Sequence, residues 1–109
     1  MLNINSNNNG ESLEENQKMI GSHKTSVFTD TDNFTKVVFH NTVVAKFDNE
    51  TIVLNTGGWE TPTTKKRMNQ TSEQFNLGFR VFQKDWTWFA EFKGEVIEFT
   101  SNTLTLNRQ

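Results

Sequence analysis

The residues best suited to bind a ligand lie in one short run, between a glycine pair and three consecutive cations. Gly57-Gly58-Trp59 opens the run, and Lys65-Lys66-Arg67 lies near its end. We take as candidate nucleic-acid or phosphate-binding residues Gly57, Gly58, Trp59, Thr61, Thr63, Thr64, Lys65, Lys66, Arg67 and Asn69.

The chemistry of this run matches what a nucleic acid requires. A helix beginning at Pro62 presents free N–H groups and a partial positive charge, and both attract phosphate. Threonine hydroxyls add donors, and the glycines let a ligand approach the backbone. Trp59 can stack on an unpaired base, which is worth about 1–3 kcal/mol in single-strand binders. The run therefore predicts a surface that contacts DNA or RNA.

A structural interpretation of the same residues stands beside this one. In it the glycine pair makes a turn, Trp59 fills the core, and Thr61 caps the helix. The three cations are then a solvated helix face. The sequence leaves both interpretations open.

Other residues with catalytic or metal-binding chemistry are isolated. His23 and His40 are lone histidines, and neither lies in a motif that supplies a nucleophile, a base and an orienting group together. The acidic run at 30–33 alternates like a calcium loop but lacks its glycine and distal glutamate. With no cysteine in the chain, thiolate chemistry and Cys-ligated zinc are excluded. We expect no catalytic residues, no metal and no cofactor, and hence no enzyme.

The elements around the candidate site are mostly strands. Runs rich in β-branched and aromatic residues, several of them alternating, lie between turn residues at 36–39, 42–47, 51–54, 79–83, 86–92, 95–100 and 103–106. One helix is predicted at about 62–75, with Thr61 as N-cap and Pro62 in the first position. The fold class is therefore α+β. We expect a small antiparallel β-sheet or partly open barrel of five to seven strands, with the helix packed across it.

Two phenylalanines in the last third allow a second choice. Phe82 and Phe89 fall on the strand faces opposite Val81 and Trp88. They form either an exposed platform for unpaired bases or a surface covered by the helix. The sequence favours coverage.

The N-terminal quarter differs in composition from the rest. Residues 1–27 are dominated by Asn, Ser, Glu and Gln and contain no aromatic ring, so they bury too little apolar surface to offset the entropy of ordering. We expect a flexible, disordered polar arm at 1–27 and a single α+β domain at 28–109. The acidic residues Glu11, Glu14 and Glu15 suggest that the arm folds over the basic cluster.

The net charge and the distribution of apolar residues limit the class of protein and its cellular location. The 109 residues carry a formal net charge of −2, which excludes a generally basic nucleic-acid binder but leaves room for a local basic patch. No stretch approaches the roughly 20 apolar residues of a membrane helix, and the start lacks a signal peptide. We expect a cytoplasmic protein that does not bind membranes.

The segment LNTGGWETPTTKKRMNQ at 54–70 resembles small uncharacterised tailed-bacteriophage proteins. In these, a strand and Gly-Gly-Trp precede a Thr-Thr-Lys/Arg-x-Arg-Met/Leu-Asn helix. FHNTVV at 39–44, FRVFQK at 79–84 and Trp88 are also similar, so the resemblance covers about residues 36–92. It implies a non-enzymatic phage-encoded protein acting in the infected bacterial cytoplasm. It implies no site residues.

The leading hypothesis is a small phage accessory protein that binds nucleic acid through the helix start. The alternatives are a host-takeover or interaction module that binds a bacterial protein through a sheet edge or the arm, and a minor virion component. A long exposed edge strand would also permit a dimer.

Overall fold

A computed structural model describes residues 25–109 and confirms the α+β class. The predictions for residues 1–24, including most of the arm and His23, lie outside the described residues. In chain order the elements are β1 (Thr25–Thr29), β2 (Thr35–Phe39), β3 (Thr42–Phe47), β4 (Thr51–Asn55), α1 (Pro62–Phe75), β5 (Phe79–Lys84), β6 (Thr87–Phe92), β7 (Glu95–Glu98) and β8 (Thr103–Asn107). The strands form two antiparallel sheets that do not close into a barrel.

The described part contains eight strands, one more than the upper end of the expected range. The additional strand is β1, which begins three residues before the predicted domain boundary at residue 28. Val27 within it is buried. This strand was missed because its two apolar residues, Val27 and Phe28, are adjacent and so give no period-two alternation.

The larger sheet has the strand order β1-β2-β3-β4-β8. Its register places one buried residue from each strand in a single row across the sheet. This row consists of Val27, Val37, Ala45, Leu54 and Leu104. The row spans the whole width of the sheet and forms the floor of the core.

The smaller sheet has the order β5-β6-β7 and contributes its own inner face to the same core. Val81 and Ala90 lie opposite each other on that face, and Trp88 and Phe92 flank Ala90. Met68 of α1 is fully buried in the same cluster. One core therefore joins both sheets and the helix.

The helix begins and ends where the sequence predicts. Thr61 Oγ1 accepts a hydrogen bond from the Thr64 backbone N–H at 3.2 Å, and Pro62 occupies the first turn. At the other end Asn76 adopts a left-handed conformation, with φ of 58°. Both ends are set by residues local in sequence.

Two polar side chains of α1 hydrogen-bond the backbone of β5. Asn69 accepts from the Val81 N–H at 2.7 Å and donates to the Val81 carbonyl at 3.0 Å. Ser72 makes the same pair of bonds with Phe79, at 3.0 and 2.7 Å. The helix thus satisfies alternate backbone groups along the β5 edge as a neighbouring strand would.

Three two-residue hairpin turns have both residues at positive φ, the geometry of a type I′ turn. They are His40-Asn41, Asp85-Trp86 and Lys93-Gly94. The second corrects the start of the strand predicted at 86–92, which begins at Thr87. Trp86 is instead at φ 69° in the turn, and its side chain is 88% exposed.

A candidate binding cleft at the start of the helix

An apolar cleft of about 330 Å³ opens where the first turn of α1 meets the β2–β3 hairpin and the loop after β4. Its lining consists of Phe39, His40, Thr42, Val44, Thr56, Trp59, Thr61, Thr63 and Thr64. This is the region that the sequence singles out, and we call it the helix-start cleft.

One wall of the cleft exists because β3 contains a bulge. Val37 pairs with Ala45 and Val38 pairs with Val43, so Val44 is left without a partner on β2. As a result the adjacent residues Val44 and Ala45 are both buried. Val44 lines the cleft, which is the re-aiming of a side chain that bulges commonly produce.

The glycine loop comes close to the same hairpin. A Cβ placed on Gly57 would lie 2.6 Å from Thr42 Cγ2, and Gly57 has φ of +62°. A Cβ on Gly58, also at positive φ, would meet nothing within 4 Å. Only Gly57 therefore permits the close approach that shapes the cleft, while both glycines provide the turn.

Trp59 forms the outer wall and is 61% exposed. Its backbone N–H donates to the Thr56 carbonyl at 2.9 Å, which fixes the end of the loop. The structural interpretation in which Trp59 fills the core is therefore wrong. The ring stands at the surface, where a ligand can cover it.

The threonine hydroxyls of the cleft are largely engaged with one another or with the backbone. Thr61 and Thr64 hydroxyls lie 3.2 Å apart, and Thr56 Oγ1 accepts from the Gly58 N–H at 3.2 Å. Thr63 is exposed at the rim. The cleft consequently presents mainly methyl groups and rings to a ligand.

The three cations diverge and do not form one patch. Lys65 Nζ lies 5.5 Å from the centre of the Trp88 ring, and Lys66 is exposed. Arg67 is buried, with Nε donating to Thr25 Oγ1 at 3.1 Å and Nη1 donating to Gln70 Oε1 at 3.0 Å. Its guanidinium also lies over the Phe39 ring. Arg67 holds β1 and β2 against the helix.

Of the predicted residues, the cleft brings together Trp59, Thr61, Thr63 and Thr64. Gly57 and Gly58 shape its loop, whereas Arg67 and Asn69 are used within the fold. The sequence interpretation missed the wall supplied by Phe39, His40, Thr42, Val44 and Thr56. The sequence signal that could have indicated this wall is the turn pair His40-Asn41, because a hairpin turn there places Phe39 and Thr42 opposite each other.

The acidic run at 30–33 forms ion pairs with a lysine side chain of the same chain. Lys36 Nζ lies 2.9 Å from Asp30 Oδ2 and 3.1 Å from Asp32 Oδ2. The hydrogen bond from Lys36 lowers the pKa of Asp30. The pKa of Asp32 is lowered mainly by the hydrogen bond from the Phe34 N–H and next by the one from Lys36. The two aspartates in turn raise the pKa of Lys36. Within residues 25–109, no group of three or more metal-ligating side chains is placed to hold a metal ion.

Phe82 and Phe89 form a stacked pair on the outer face of the smaller sheet. Their ring centres are 5.5 Å apart with 20° between the planes, and both are partly exposed. The Arg80 guanidinium lies over Phe82 and also forms a 3.2 Å ion pair with Glu91. The helix packs on the opposite face, where Met68 joins Val81 and Trp88 in the core, so the expected cover of these two rings by the helix is wrong.

The comparisons with known proteins give one match. A family model described as Kyanoviridae Gp96 protein matches residues 1–106, and no curated protein or solved structure matches the chain. The match supports the phage setting that the resemblance implied. No helix in the part of the chain that the structure describes is both long and apolar enough to cross a bilayer.

Proposed function

Because the chain belongs to the Kyanoviridae Gp96 protein family, a family of phage proteins, we propose that it is a non-enzymatic accessory protein that binds another protein in the infected cell. The helix-start cleft takes apolar side chains from an extended segment of that partner. The observation that carries this proposal is an apolar cleft beside a tryptophan that is 61% exposed.

The size and lining of the cleft suit side chains. A volume of about 330 Å³ is at the lower end of the range for small-ligand pockets, about 300–1,000 Å³. It accommodates one or two side chains and is too small for a whole helix. The lining contains no Lys, Arg, Asp or Glu, and charge depletion with aromatic enrichment is typical of the centre of a protein interface.

Trp59 supplies the largest expected contribution to binding. A fully buried tryptophan removes about 150–250 Å² from water, so covering the 61% that is exposed removes roughly 90–150 Å². At about 25 cal/mol per Å² this amounts to about 2–4 kcal/mol. Such a value is in the range of an interface hot spot.

The nucleic-acid hypothesis has less support from the same geometry. Phosphate binding needs cations that converge, but Lys65, Lys66 and Arg67 point to three different surroundings. A base in the cleft would need hydrogen-bond partners for its edge, and several of the hydroxyls there already have partners. Lys66 and Trp59 are the exposed residues that still favour it.

The test is selection of binders from a random 12-residue peptide library, followed by affinity measurements on wild-type protein and two variants. Trp59→Ala removes the cleft wall, and Trp86→Ala removes an exposed tryptophan outside the cleft. We expect the selected peptides to carry adjacent apolar residues. Trp59→Ala should weaken their binding at least about 30-fold, and Trp86→Ala should leave it unchanged.

Two results would overturn the proposal. One is selected peptides that bind wild type and Trp59→Ala equally well. The other is salt-sensitive binding of labelled single-stranded DNA, duplex DNA or RNA that Lys66→Glu abolishes, which would restore the nucleic-acid hypothesis.

A further inference from the structure

The N-terminal segment enters the described fold beside the helix-start cleft. Strand β1 begins at Thr25, which pairs directly with Phe39 of the cleft wall. Arg67 fixes this entry point by donating from Nε to Thr25 Oγ1 at 3.1 Å. The 24 residues before Thr25 are thus attached next to the mouth of the cleft.

A second depression lies at the entry point. It is open, has a volume of about 460 Å³, and is lined by Thr25, Ser26, Val38, His40 and Asn41. His40 lines both this depression and the helix-start cleft. Because the two depressions share His40, together they mark a path along the surface from the first residue of β1 towards the apolar lining.

The sequence before Thr25 contains an apolar pair within reach of that path. Met19 and Ile20 are adjacent, and Gly21 follows them. The five residues from Ile20 to Thr25 span up to about 17 Å when extended, whereas paired residues such as Thr25 and Phe39 have Cα atoms about 5 Å apart. Gly21 provides the backbone freedom for the chain to reverse direction.

The charges on the two sides are complementary. Glu14 and Glu15 precede the apolar pair, and Lys65 and Lys66 follow Thr64 of the cleft lining on the first turns of α1. Lys65 points to the Trp88 ring, whereas Lys66 is exposed, so Lys66 is the cation that the acidic residues can approach. Opposite charges within about 8 Å attract through solvent at physiological salt.

We propose that Met19 and Ile20 of the same chain occupy the helix-start cleft, with Glu14 and Glu15 near the exposed Lys66. The segment acts as an internal ligand that a partner has to displace. The regulatory consequence rests on the proposed function, but the contact itself does not. The contact also indicates which segment an external partner would present to the cleft, namely two adjacent apolar residues preceded by acidic residues.

The contact can be measured in the full chain by paramagnetic broadening, because the protein has no cysteine of its own. Gln17→Cys carries a spin label next to the apolar pair, and Ser6→Cys carries the same label far from it. We expect the label at 17 to broaden the Trp59 indole and Thr63 amide resonances much more than the label at 6. Met19→Glu/Ile20→Glu should abolish that broadening, and the matched control Leu2→Glu/Ile4→Glu should not.

The competition has a predicted size. If the segment fills the cleft nine-tenths of the time, Met19→Glu/Ile20→Glu should tighten the binding of a cleft-directed library peptide about tenfold. A broadening of Trp59 no greater than that of the Trp86 indole would overturn the contact. Broadening of unlabelled chains mixed with spin-labelled ones would also overturn it, since the segment would then lie on a second copy. Library peptides that fail to bind, with the broadening intact, would count against the proposed function alone.

Discussion

Substituting Gly57 by alanine tests the close approach that shapes the helix-start cleft. A residue other than glycine at φ +62° costs about 1–2 kcal/mol. The new Cβ would also lie 2.6 Å from Thr42 Cγ2. A β-branched side chain has few other rotamers available, so relieving this overlap costs about 1–3 kcal/mol more. We expect Gly57→Ala to lower the free energy of unfolding by about 2–5 kcal/mol.

The neighbouring glycine separates the two contributions. Gly58 has φ of +87°, and an added Cβ would meet nothing within 4 Å, so Gly58→Ala should cost only the backbone share of about 1–2 kcal/mol. Adding Thr42→Ala to Gly57→Ala should recover most of the steric share, and a double-mutant cycle with Thr42→Ala alone isolates it. The measurement is urea unfolding at 25 °C followed by tryptophan fluorescence. Equal losses for the two glycine variants, with no recovery in the double mutant, would refute the reasoning.

Three further predictions address the side chains around the site. Asn69→Leu leaves both backbone groups of Val81 without a partner, which should cost about 2–5 kcal/mol in denaturant unfolding and speed exchange of the Val81 amide; unchanged exchange would contradict the pairing. Arg67→Ala should lower the free energy of unfolding by about 2–4 kcal/mol, because charged hydrogen bonds and packing are lost. The exposed control Lys66→Ala should change it by no more than about 0.5 kcal/mol. Similar losses of stability for both variants would contradict a buried Arg67. Lys36→Met should raise the pKa of its two aspartate partners towards 3.8 in an NMR titration. Because the pKa values of both aspartates are lowered in the folded protein, their contribution to stability is complete above pH 3.8 and is lost as the pH falls through the folded values. The difference in unfolding free energy between wild type and Lys36→Met should therefore narrow below pH 3.8.

The features fixed by neighbouring residues were predictable from the sequence. Thr61 and Pro62 set the start of α1, and Asn76 sets its end, as their intrinsic backbone preferences dictate. Period-two alternation likewise located strands such as β5 and β6. The alternation failed at Trp86, because an Asp-Trp turn at positive φ lacks the glycine or asparagine that usually marks such turns.

The site was predictable in position but not in composition. Arg67 and Asn69 have side chains suited to a ligand, yet their partners Thr25 and Val81 lie 42 and 12 residues away. The spacing of neighbouring residues does not predict such distant partners. Three cations that are consecutive in sequence therefore lie in three different environments in the fold. The wall supplied by Val44 depends on a bulge, and a bulge is a property of strand pairing that one strand alone does not encode.

The pairing of β4 with β8 has a consequence for how the protein is made. Leu54 pairs with Leu104, so β4 leaves the ribosome 50 residues before its partner. During that interval the β1–β4 meander, the helix and the hairpins can form from contacts close in sequence, but one side of β4 stays unpaired. Ile52 and Leu54 meanwhile lack the cover of Leu104 and Leu106, and an exposed edge of this kind recruits other strands. The nascent chain is therefore most open to mispairing with other chains in the interval before β8 has been made.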